Sequence, residues 1–515
     1  MDSYDVCVIG GGPAGYAAAM RAVDFGKRVL LVERDRIGGA GIFNGALSSK
    51  AFWELSQEVA TYQRTFYGNS PAAPKLAFAQ VAAQVNDAMR ERAELLTGHL
   101  DRIVQQSPGR FEVARGSARL LDAHCVAIDP VPDGPGAAGL TAGTGQHAAG
   151  GTRTVSPPRT VAADNIVLAT GSRPRSLPSI PVDEHTVMTS DGIGSLTEFP
   201  RSIVILGAGV IGCEFATIFS NFGRTEVHLI DKEPRILPFE DADLAHVIQG
   251  NLEASGVLIH RQCRLTHMAV AGGEVVYELE HAAGQRERFA AEKALISVGR
   301  VPNVENLGLD EVGVKRSATG HVVDESTRSS IPHIYAVGDL TADIALVNVG
   351  ELEGRHAVER MFGKPLRAMN YKNISTIMFL SPETAGVGMN ETQAQQRGLS
   401  YRVASYAFEC IPRAIAMRKT QGFFKILVTD DAEMKILGMR AVGEHASSAI
   451  QAVALLISMD KGIEELAELI HPHPSIIEGI QECVRMLLGK SILKPSVFVE
   501  RLGYRRWREG HYEAM

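Results

Sequence analysis

Two glycine-rich turns in this sequence could hold the phosphates of dinucleotides. They are Gly10–Gly15 (GGGPAG) and Gly207–Gly212 (GAGVIG), and each follows a short apolar run and precedes a predicted helix. Glycines let the backbone approach a pyrophosphate, and a helix N-terminus offers free N–H groups and a positive dipole. Each unit continues into a second strand that ends in an acid, Glu33 or Asp231, which can accept hydrogen bonds from ribose hydroxyls. We therefore predict two dinucleotide sites, and the simplest pair is FAD with a nicotinamide nucleotide.

The acid of the second unit carries information on the choice of nucleotide. Asp231 can bond a 2′-hydroxyl and would repel a 2′-phosphate, which favours NAD(H). Lys232 and Arg235 lie close by in the sequence and could weaken that preference. NADP(H) therefore stays possible.

Length and composition limit the class of protein. A chain of 515 residues suggests roughly two to four domains. The net charge of −7, with scattered basic residues, gives no reason to expect nucleic acid. The start lacks a signal-like pattern, and no apolar run reaches the roughly 18 residues typical of a membrane helix. The six cysteines are far apart without CxxC spacing, which indicates free buried thiols in a cytoplasmic protein, and we expect no bound metal.

Further motifs follow the turns in a fixed order. Asn165–Ser172 (NIVLATGS) is typical of a strand ending in a turn, Ser297–Asn303 (SVGRVPN) closes the second unit, and Ile334–Asp339 (IYAVGD) is a strand ending in an acid. In this order they resemble the pyridine nucleotide-disulfide oxidoreductase family, over nearly the whole chain from Tyr4 to about Gly489. The resemblance implies an α/β fold, with two Rossmann-like dinucleotide-binding domains and a C-terminal α+β dimerisation domain, in a homodimer.

The chain divides into consecutive parts. We expect helices over most of 51–105 with a break near Ser70–Pro74, β-structure over Phe111–Asp122, and antiparallel strands over 374–443. The Gly/Pro-rich stretch 129–159 predicts an enlarged surface loop, and the last residues predict a solvated tail that packs an aromatic side chain or two. The predicted parts are an FAD-binding domain (1–190 and 319–369), an NAD(P)-binding domain (191–318), an interface domain (370–490) and the tail (491–515).

One segment of the resemblance, Gly38–Lys50, decides which redox chemistry is possible. In members of the family the matching segment is similar to GGTCLNVGCIPSK, and the two cysteines of that family segment form a redox-active disulfide against the flavin. Here Gly41 and Ala46 stand in their places. Lys50 matches the family lysine that hydrogen-bonds near flavin N5, and Glu214 matches the acid that pairs with it. The resemblance therefore implies that the sulfur is lost while the lysine is kept.

A C-terminal motif adds a possible acid–base pair. His471–Glu478 (HPHPSIIE) resembles dihydrolipoyl dehydrogenases, whereas Arg413–Met417 (RAIAM) resembles soluble pyridine nucleotide transhydrogenases. By the first match His473 and Glu478 take the places of the catalytic base and its orienting carboxylate, which act across the dimer interface. Without a thiol to deprotonate, His473 could protonate another acceptor or serve a structural role, and both alternatives stay open.

The resemblance and the turns assign further residues to the two cofactors. For FAD they are Gly10, Gly12, Pro13, Ala14, Gly15, Glu33, Arg34, Gly39, Ala40, Lys50, Ala169, Thr170, Gly171, Gly338 and Asp339. For NAD(P) they are Gly207, Gly209, Val210, Ile211, Asp231, Lys232 and Gly299.

Three functions are compatible with these residues. The first is an FAD-dependent NAD(P)H oxidoreductase without a redox disulfide, either transhydrogenase-like or passing electrons to a non-thiol acceptor such as a quinone, a second nicotinamide or dioxygen. The second is an inactive flavoprotein with a structural or partner-binding role, and the third is a dihydrolipoyl dehydrogenase-like reductase that uses thiols from elsewhere. We favour the first because the second glycine turn is complete and because neither Gly41 nor Ala46 can attack a disulfide.

Overall fold

A computed structural model describes residues 1–68, 76–131, 158–363 and 368–515. The predicted break at Ser70–Pro74 and most of the predicted loop at 129–159 lie outside the described residues. Among the residues described, no helix is both long and apolar enough to cross a membrane.

The first part of the chain builds a sheet around the strand that leads into the first glycine turn. β1 lies between β2 and β6 and runs parallel to both, so its carboxyl end opens at the middle of the sheet. The elements are β1 (Asp2–Ile9), α1 (Pro13–Asp24), β2 (Val29–Glu33), α2 (Gly39–Ile42), α3 (Ala46–Tyr67), α4 (Phe78–Gln106), β3 (Phe111–Arg115), β4 (Ser117–Leu120), β5 (Cys125–Asp129), β6 (Arg159–Leu168) and β7 (Ser172–Pro174). The helices and strands expected between 51 and 122 are confirmed.

The second part repeats this arrangement around the second glycine turn. β9 lies between β10 and β15 in a parallel sheet of order β11-β10-β9-β15-β8, and an antiparallel meander of β12, β13 and β14 packs beside it. Its elements are β8 (Val187–Thr189), β9 (Ser202–Leu206), α5 (Val210–Phe222), β10 (Glu226–Ile230), α6 (Ala242–Ala254), β11 (Leu258–His260), β12 (Cys263–Ala271), β13 (Glu274–His281), β14 (Arg286–Ala291), β15 (Lys293–Ile296) and β16 (Arg300–Pro302).

The chain then returns to the first sheet. β19 pairs parallel to β6, which brings the acid after β19 to the same sheet edge as the first glycine turn. The elements of this part are α7 (Leu309–Val312), β17 (Asp324–Glu325), β18 (Arg328–Ser329), β19 (Ile334–Ala336) and α8 (Val347–Phe362). Helix α8 lies directly on α1, because a Cβ at Gly354 would stand only 2.2 Å from the carbonyl oxygen of Ala14.

The C-terminal part is an antiparallel sheet with helices on it, as the alternation of apolar and polar residues predicts. The strand order is β20-β21-β24-β23-β22-β25-β26. The elements are β20 (Ser375–Met378), β21 (Thr384–Gly388), α9 (Glu391–Gln396), β22 (Tyr401–Ala407), α10 (Pro412–Ala416), β23 (Phe423–Thr429), β24 (Ile436–Val442), α11 (Ala446–Ala449), α12 (Gln451–Ser458), α13 (Glu464–Ala467), α14 (Glu478–Leu487), β25 (Leu502–Arg508) and β26 (His511–Ala514).

The expectation of a solvated tail was wrong for residues 502–514, which form strands, but the expected aromatic packing is confirmed, since Trp507 stacks on Tyr401 with ring centroids 6.3 Å apart. Strand β25 pairs antiparallel with β22, and β26 folds back on it as a hairpin. Glu509 and Gly510 both have positive φ, 52° and 84°, which suits the tight turn of a two-residue hairpin. Arg508 reaches the buried carboxylate of Asp430 at 2.7 Å, so the basic residues of the tail are ordered by charge pairing. The domain boundaries themselves stay predictions.

Candidate functional site

The two glycine turns share one backbone geometry. Gly10 and Gly207 have φ of 108° and 102°, a region that favours glycine. A Cβ at Gly15 would lie 1.8 Å from the carbonyl oxygen of Gly10, and a Cβ at Gly212 would lie 1.9 Å from that of Gly207. These four glycines are therefore required by the fold of each turn itself.

The middle glycine of each turn is different, because the protein does not require it. Gly12 has φ −69° and Gly209 has φ −77°, which any residue can adopt. A Cβ at either position would meet no atom of the chain within 4 Å. A glycine that neither backbone strain nor packing explains leaves an open cradle at a helix N-terminus, and this fits the close approach of a pyrophosphate. The residues present thus fit FAD at the first turn and a nicotinamide nucleotide at the second.

The acids that end β2 and β10 lie against these turns in matching ways. Glu33 Oε2 accepts a hydrogen bond from the backbone of Gly11 at 2.6 Å, and Asp231 Oδ2 accepts one from Ala208 at 2.6 Å. Burial raises the pKa of Glu33, although backbone N–H donors oppose that shift. Both carboxylates are held at the cradle edge with acceptor capacity left for ribose hydroxyls.

Asp339, which follows β19, lies beside the point where the chain crosses between the two nucleotide-binding parts. Ser172 donates its hydroxyl to Asp339 Oδ2 at 2.6 Å and accepts from Arg300 Nε at 2.8 Å. Thr170 bonds the carbonyl oxygen of Asn303 at 2.7 Å, so both strands of the crossing are joined. Ser172 and Arg300 lie in motifs that the sequence identifies, but their contact could not be predicted, because it spans 128 positions along the chain.

Glu353 is a buried carboxyl group behind Gly338. Its Oε2 accepts from the backbone N–H of Gly338 at 2.6 Å, and its Oε1 accepts from the Tyr371 hydroxyl at 3.0 Å. Burial raises the pKa of Glu353 to about 7, with Asp343 and Asp324 adding to the shift. A substantial fraction of the folded molecules therefore carries a protonated Glu353 around neutral pH.

This raised pKa predicts a pH-dependent stability. A carboxyl whose pKa is higher in the folded than in the unfolded chain stabilises the fold below its unfolded pKa, and that contribution is lost as pH rises toward 7. In the wild type, this group should lower the free energy of unfolding by at most about 3 kcal/mol between roughly pH 4.5 and pH 7. Glu353→Gln has no carboxyl group to ionise, so this decrease should be absent from the variant. Urea unfolding of both proteins across that range measures the difference, and parallel curves would contradict the prediction.

Lys50 and Glu214 are brought together although 164 positions separate them. Lys50 Nζ lies 2.9 Å from Glu214 Oε2, and the Glu214 side chain is only 5% exposed. The other oxygen of Glu214 accepts the backbone N–H of Phe379 at 3.0 Å, and Lys50 Nζ lies 4.8 Å from the centre of the Phe379 ring. Lys50 also donates to Ser49 Oγ at 3.2 Å. The ammonium group is thus held from several sides, and Ser49 and Phe379 carry no sequence signal that would have identified them.

The segment before Lys50 packs against the first turn. Gly38 donates its N–H to the carbonyl oxygen of Gly11 at 2.8 Å, and a Cβ at Gly39 would lie 3.4 Å from Gly12. A Cβ at Gly41 would lie 2.6 Å from Cγ of Pro13, the first residue of α1. The backbone at position 41 is therefore built around a residue without a side chain.

The cysteines in the described chain are free and spread over different elements. Cys7 lies in β1 and Cys213 in α5, and both are fully buried. Burial raises the pKa of Cys7 to about 12 and also raises the pKa of Cys213. A thiol held protonated in this way is a poor nucleophile, so these two cysteines act as small apolar fillers.

His473 and Glu478 form the predicted pair on the protein surface. His473 Nδ1 lies 2.7 Å from Glu478 Oε1, and the His473 side chain is 71% exposed. Glu478 is the first residue of α14, and its second oxygen lies 3.3 Å from the backbone nitrogen of Ser475. The carboxylate orients the ring, whose outer edge is open.

The other residues assigned to cofactors lie around the same turns. Lys232 and Arg34 are exposed, and Lys232 contacts Glu233 at 3.8 Å. Gly171 and Gly299 have positive φ at the crossing between the two parts. Pro13 and Ala14 begin α1, Val210 and Ile211 begin α5, Ala40 lies in α2, and Ala169 and Thr170 follow β6.

Comparisons with known proteins agree with this architecture. The family model described as pyridine nucleotide-disulphide oxidoreductase matches residues 4–354, and the dimerisation-domain model of the same family matches residues 374–484. The chain is 30% identical to the dihydrolipoyl dehydrogenase of Bacillus subtilis, covering 95% of this chain and 99% of that protein. It is 28% identical to leghemoglobin reductase of Glycine max, over 95% of this chain and 88% of that protein.

Solved structures show the same fold. LpdA of Mycobacterium tuberculosis has a TM-score of 0.80 at 24% identity, covering 95% of this chain and all of that one. RclA of Escherichia coli, an HOCl-induced flavoprotein disulfide reductase, has a TM-score of 0.78 at 24% identity, covering 94% of this chain and all of that one.

Fold and site together define an FAD-dependent pyridine nucleotide oxidoreductase. The chain belongs to the pyridine nucleotide-disulphide oxidoreductase family, with its dimerisation domain. The predicted family, fold class and enzyme class are confirmed.

Proposed function

We propose that this enzyme transfers hydride between a nicotinamide nucleotide and FAD without a redox disulfide. Electrons then leave to a non-thiol acceptor or to a second nicotinamide nucleotide. The observation that carries the proposal is the intact Lys50–Glu214 pair at 2.9 Å next to a segment whose two family cysteine positions hold Gly41 and Ala46.

When bound, FAD would supply the two-electron redox chemistry, and the residues of the chain would hold and polarise it. Gly12 and Glu33 support one dinucleotide, and Gly209 and Asp231 support the other. Lys50 would direct a fixed positive charge at the redox ring, and Glu214 keeps that charge in place. A preorganised charge of this kind needs no reorientation during the reaction.

The loss of the disulfide is supported by packing as well as by residue type. A Cβ at Gly41 would lie 2.6 Å from Cγ of Pro13, so a side chain at that position requires the Pro13 ring to move. Cys213, which lies beside Glu214 in sequence, is fully buried and its thiol has a raised pKa. Burial also raises the pKa of the other cysteines of the described chain, Cys125, Cys263, Cys410 and Cys483, so none of them offers a ready thiolate as a substitute.

Two finer features belong to the same proposal. Asp231, fixed by Ala208 and Glu233, would accept a ribose 2′-hydroxyl and repel a 2′-phosphate, which favours NAD(H) over NADP(H). The exposed His473, oriented by Glu478, would face a second copy of the chain in a homodimer and serve the acceptor there as a proton donor.

Anaerobic mixing of the FAD-loaded enzyme with NADH, and separately with NADPH, tests the proposal. We expect prompt bleaching of the flavin absorbance with NADH, and slower bleaching with NADPH. Reoxidation is then followed with a quinone, with a thionicotinamide analogue of NAD⁺ and with lipoamide. No bleaching by either nucleotide would refute the proposal, and fast turnover with lipoamide would favour a disulfide reductase that recruits other thiols.

A further inference from the structure

The loop between β10 and α6, residues 231–241, is bonded to the second glycine turn at two points. Its first residue, Asp231, accepts the backbone N–H of Ala208 at 2.6 Å. In its middle, the backbone N–H of Leu237 donates to the carbonyl oxygen of Ala208 at 2.9 Å, and the Leu237 side chain is fully buried. The shape of loop 231–241 thus determines where Asp231 and the glycine turn lie relative to each other.

The far end of the same loop is anchored in the C-terminal sheet. Glu240 Oε2 lies 2.8 Å from Arg440 Nε on β24, and Asp241 Oδ2 lies 2.8 Å from Lys425 Nζ on β23. All four residues are at most 5% exposed. Two buried ion pairs therefore join the nucleotide-binding part to the C-terminal part at this loop.

Lys425 is the centre of a larger cluster. Besides Asp241, its ammonium group contacts Asp243 at 2.8 Å and Glu391 at 2.9 Å. Burial would lower the pKa of Lys425, but the three carboxylates outweigh it and raise the pKa. Asp241 is further fixed by the backbone N–H groups of Glu391 at 3.1 Å and Thr392 at 3.0 Å. The cluster is charged and its geometry is tightly specified.

The C-terminal hairpin completes the cluster from outside. The Tyr512 hydroxyl donates to Glu391 Oε2 at 2.7 Å, and Arg505 Nη2 lies 3.5 Å from Glu391 Oε1.

Buried ion pairs add little net stability, because the cost of desolvating the charges offsets their attraction, whereas their geometry can fix one arrangement. We propose that Arg440 and Lys425 are positioning residues for the nicotinamide nucleotide. By holding Glu240 and Asp241 they keep loop 231–241, and with it the second glycine turn, in the geometry that binds the nucleotide. This inference rests on the proposed function, since it concerns the same nucleotide site.

The test compares Arg440→Met and Asp241→Asn with Arg402→Met in the full-length FAD-loaded enzyme. Arg402 lies on β22 of the same sheet and pairs with the buried Asp430 at 2.8 Å, but that pair does not contact loop 231–241. We expect the first two variants to raise KM for NADH about tenfold, with FAD content kept and kcat at saturating NADH changed less than about twofold. Arg402→Met should leave KM unchanged. Asp241→Asn keeps the size of the side chain and one acceptor oxygen, where Asp241 accepts from the backbone N–H groups of Glu391 and Thr392 on separate oxygens. It provides a second variant of the same loop if Arg440→Met does not fold.

The outcomes separate this inference from the proposed function. If the wild-type flavin is bleached by NADH and both loop-anchor variants keep the wild-type KM while losing thermal stability, the positioning role is refuted and the proposed function stands. If Arg402→Met raises KM as much as the others, the effect is a general loss of stability and the inference is again wrong. If neither nucleotide reduces the wild-type enzyme, the proposed function fails first.

Discussion

Replacing Lys50 with methionine is expected to slow flavin reduction by NADH about 100-fold, or roughly 3 kcal/mol of activation free energy. The variant keeps the length of the side chain and removes only the charge that Glu214 and Ser49 hold in place. FAD should stay bound, because Lys50 lies outside the glycine cradles. Stopped-flow absorbance under anaerobic conditions, with NADH above KM, measures the rate directly.

Two companion variants separate a charge effect from a structural one. Lys50→Met leaves the buried Glu214 carboxylate without its ammonium partner, which itself destabilises the fold. Adding Glu214→Gln to Lys50→Met removes that unpaired charge, so it should recover thermal stability but not the rate. Glu214→Gln alone should slow the reaction only about tenfold, because Ser49 and the Phe379 ring still hold the ammonium group. A fast Lys50→Met enzyme would exclude a role for the charge.

The parts of the site that could be predicted are the motifs whose residues lie close together in the sequence. The glycine turns and the acids that end β2 and β10 follow one another within single βαβ units, so their spacing alone indicates a dinucleotide site. Two sets of contacts could not be predicted: those of Ser49 and Phe379 with Lys50, and that of Ser172 with Arg300. The contacts of Phe379 and of Arg300 form only when distant segments pack.

The tail shows a different limit of sequence reasoning. The arginines of β25 look like a solvated stretch because their partners lie far away in the sequence. Arg506, for example, pairs with Asp430 at 3.1 Å. The turn signal, Glu509-Gly510, is short and is not flanked by a clear apolar alternation. Backbone pairing with β22 and contacts with distant residues, such as the charge pair with Asp430 and the stacking of Trp507 on Tyr401, hold these residues in strands.

The strongest test of the two cradles is a matched pair of alanine substitutions. Gly12 and Gly209 occupy equivalent positions, have φ values that alanine can adopt, and face space with no protein atom within 4 Å of a Cβ. The added methyl group should therefore cost the empty protein little. Against a bound pyrophosphate it should cost about 1.4–2.8 kcal/mol, or roughly 10- to 100-fold in affinity.

Each substitution should weaken the binding of one nucleotide and leave the other unchanged. We expect Gly12→Ala to lower FAD affinity, measured by flavin fluorescence on dilution, and Gly209→Ala to keep FAD while raising KM for NADH. Gly15→Ala is the contrasting control, because its Cβ would lie 1.8 Å from the Gly10 carbonyl oxygen and should unfold the turn whether or not FAD is present. If Gly12→Ala and Gly209→Ala bind both nucleotides as the wild type does, the open space at these glycines does not hold phosphate. The assignment of FAD to the first turn and NAD(H) to the second would then have to be given up, because the remaining glycines are explained by the fold alone.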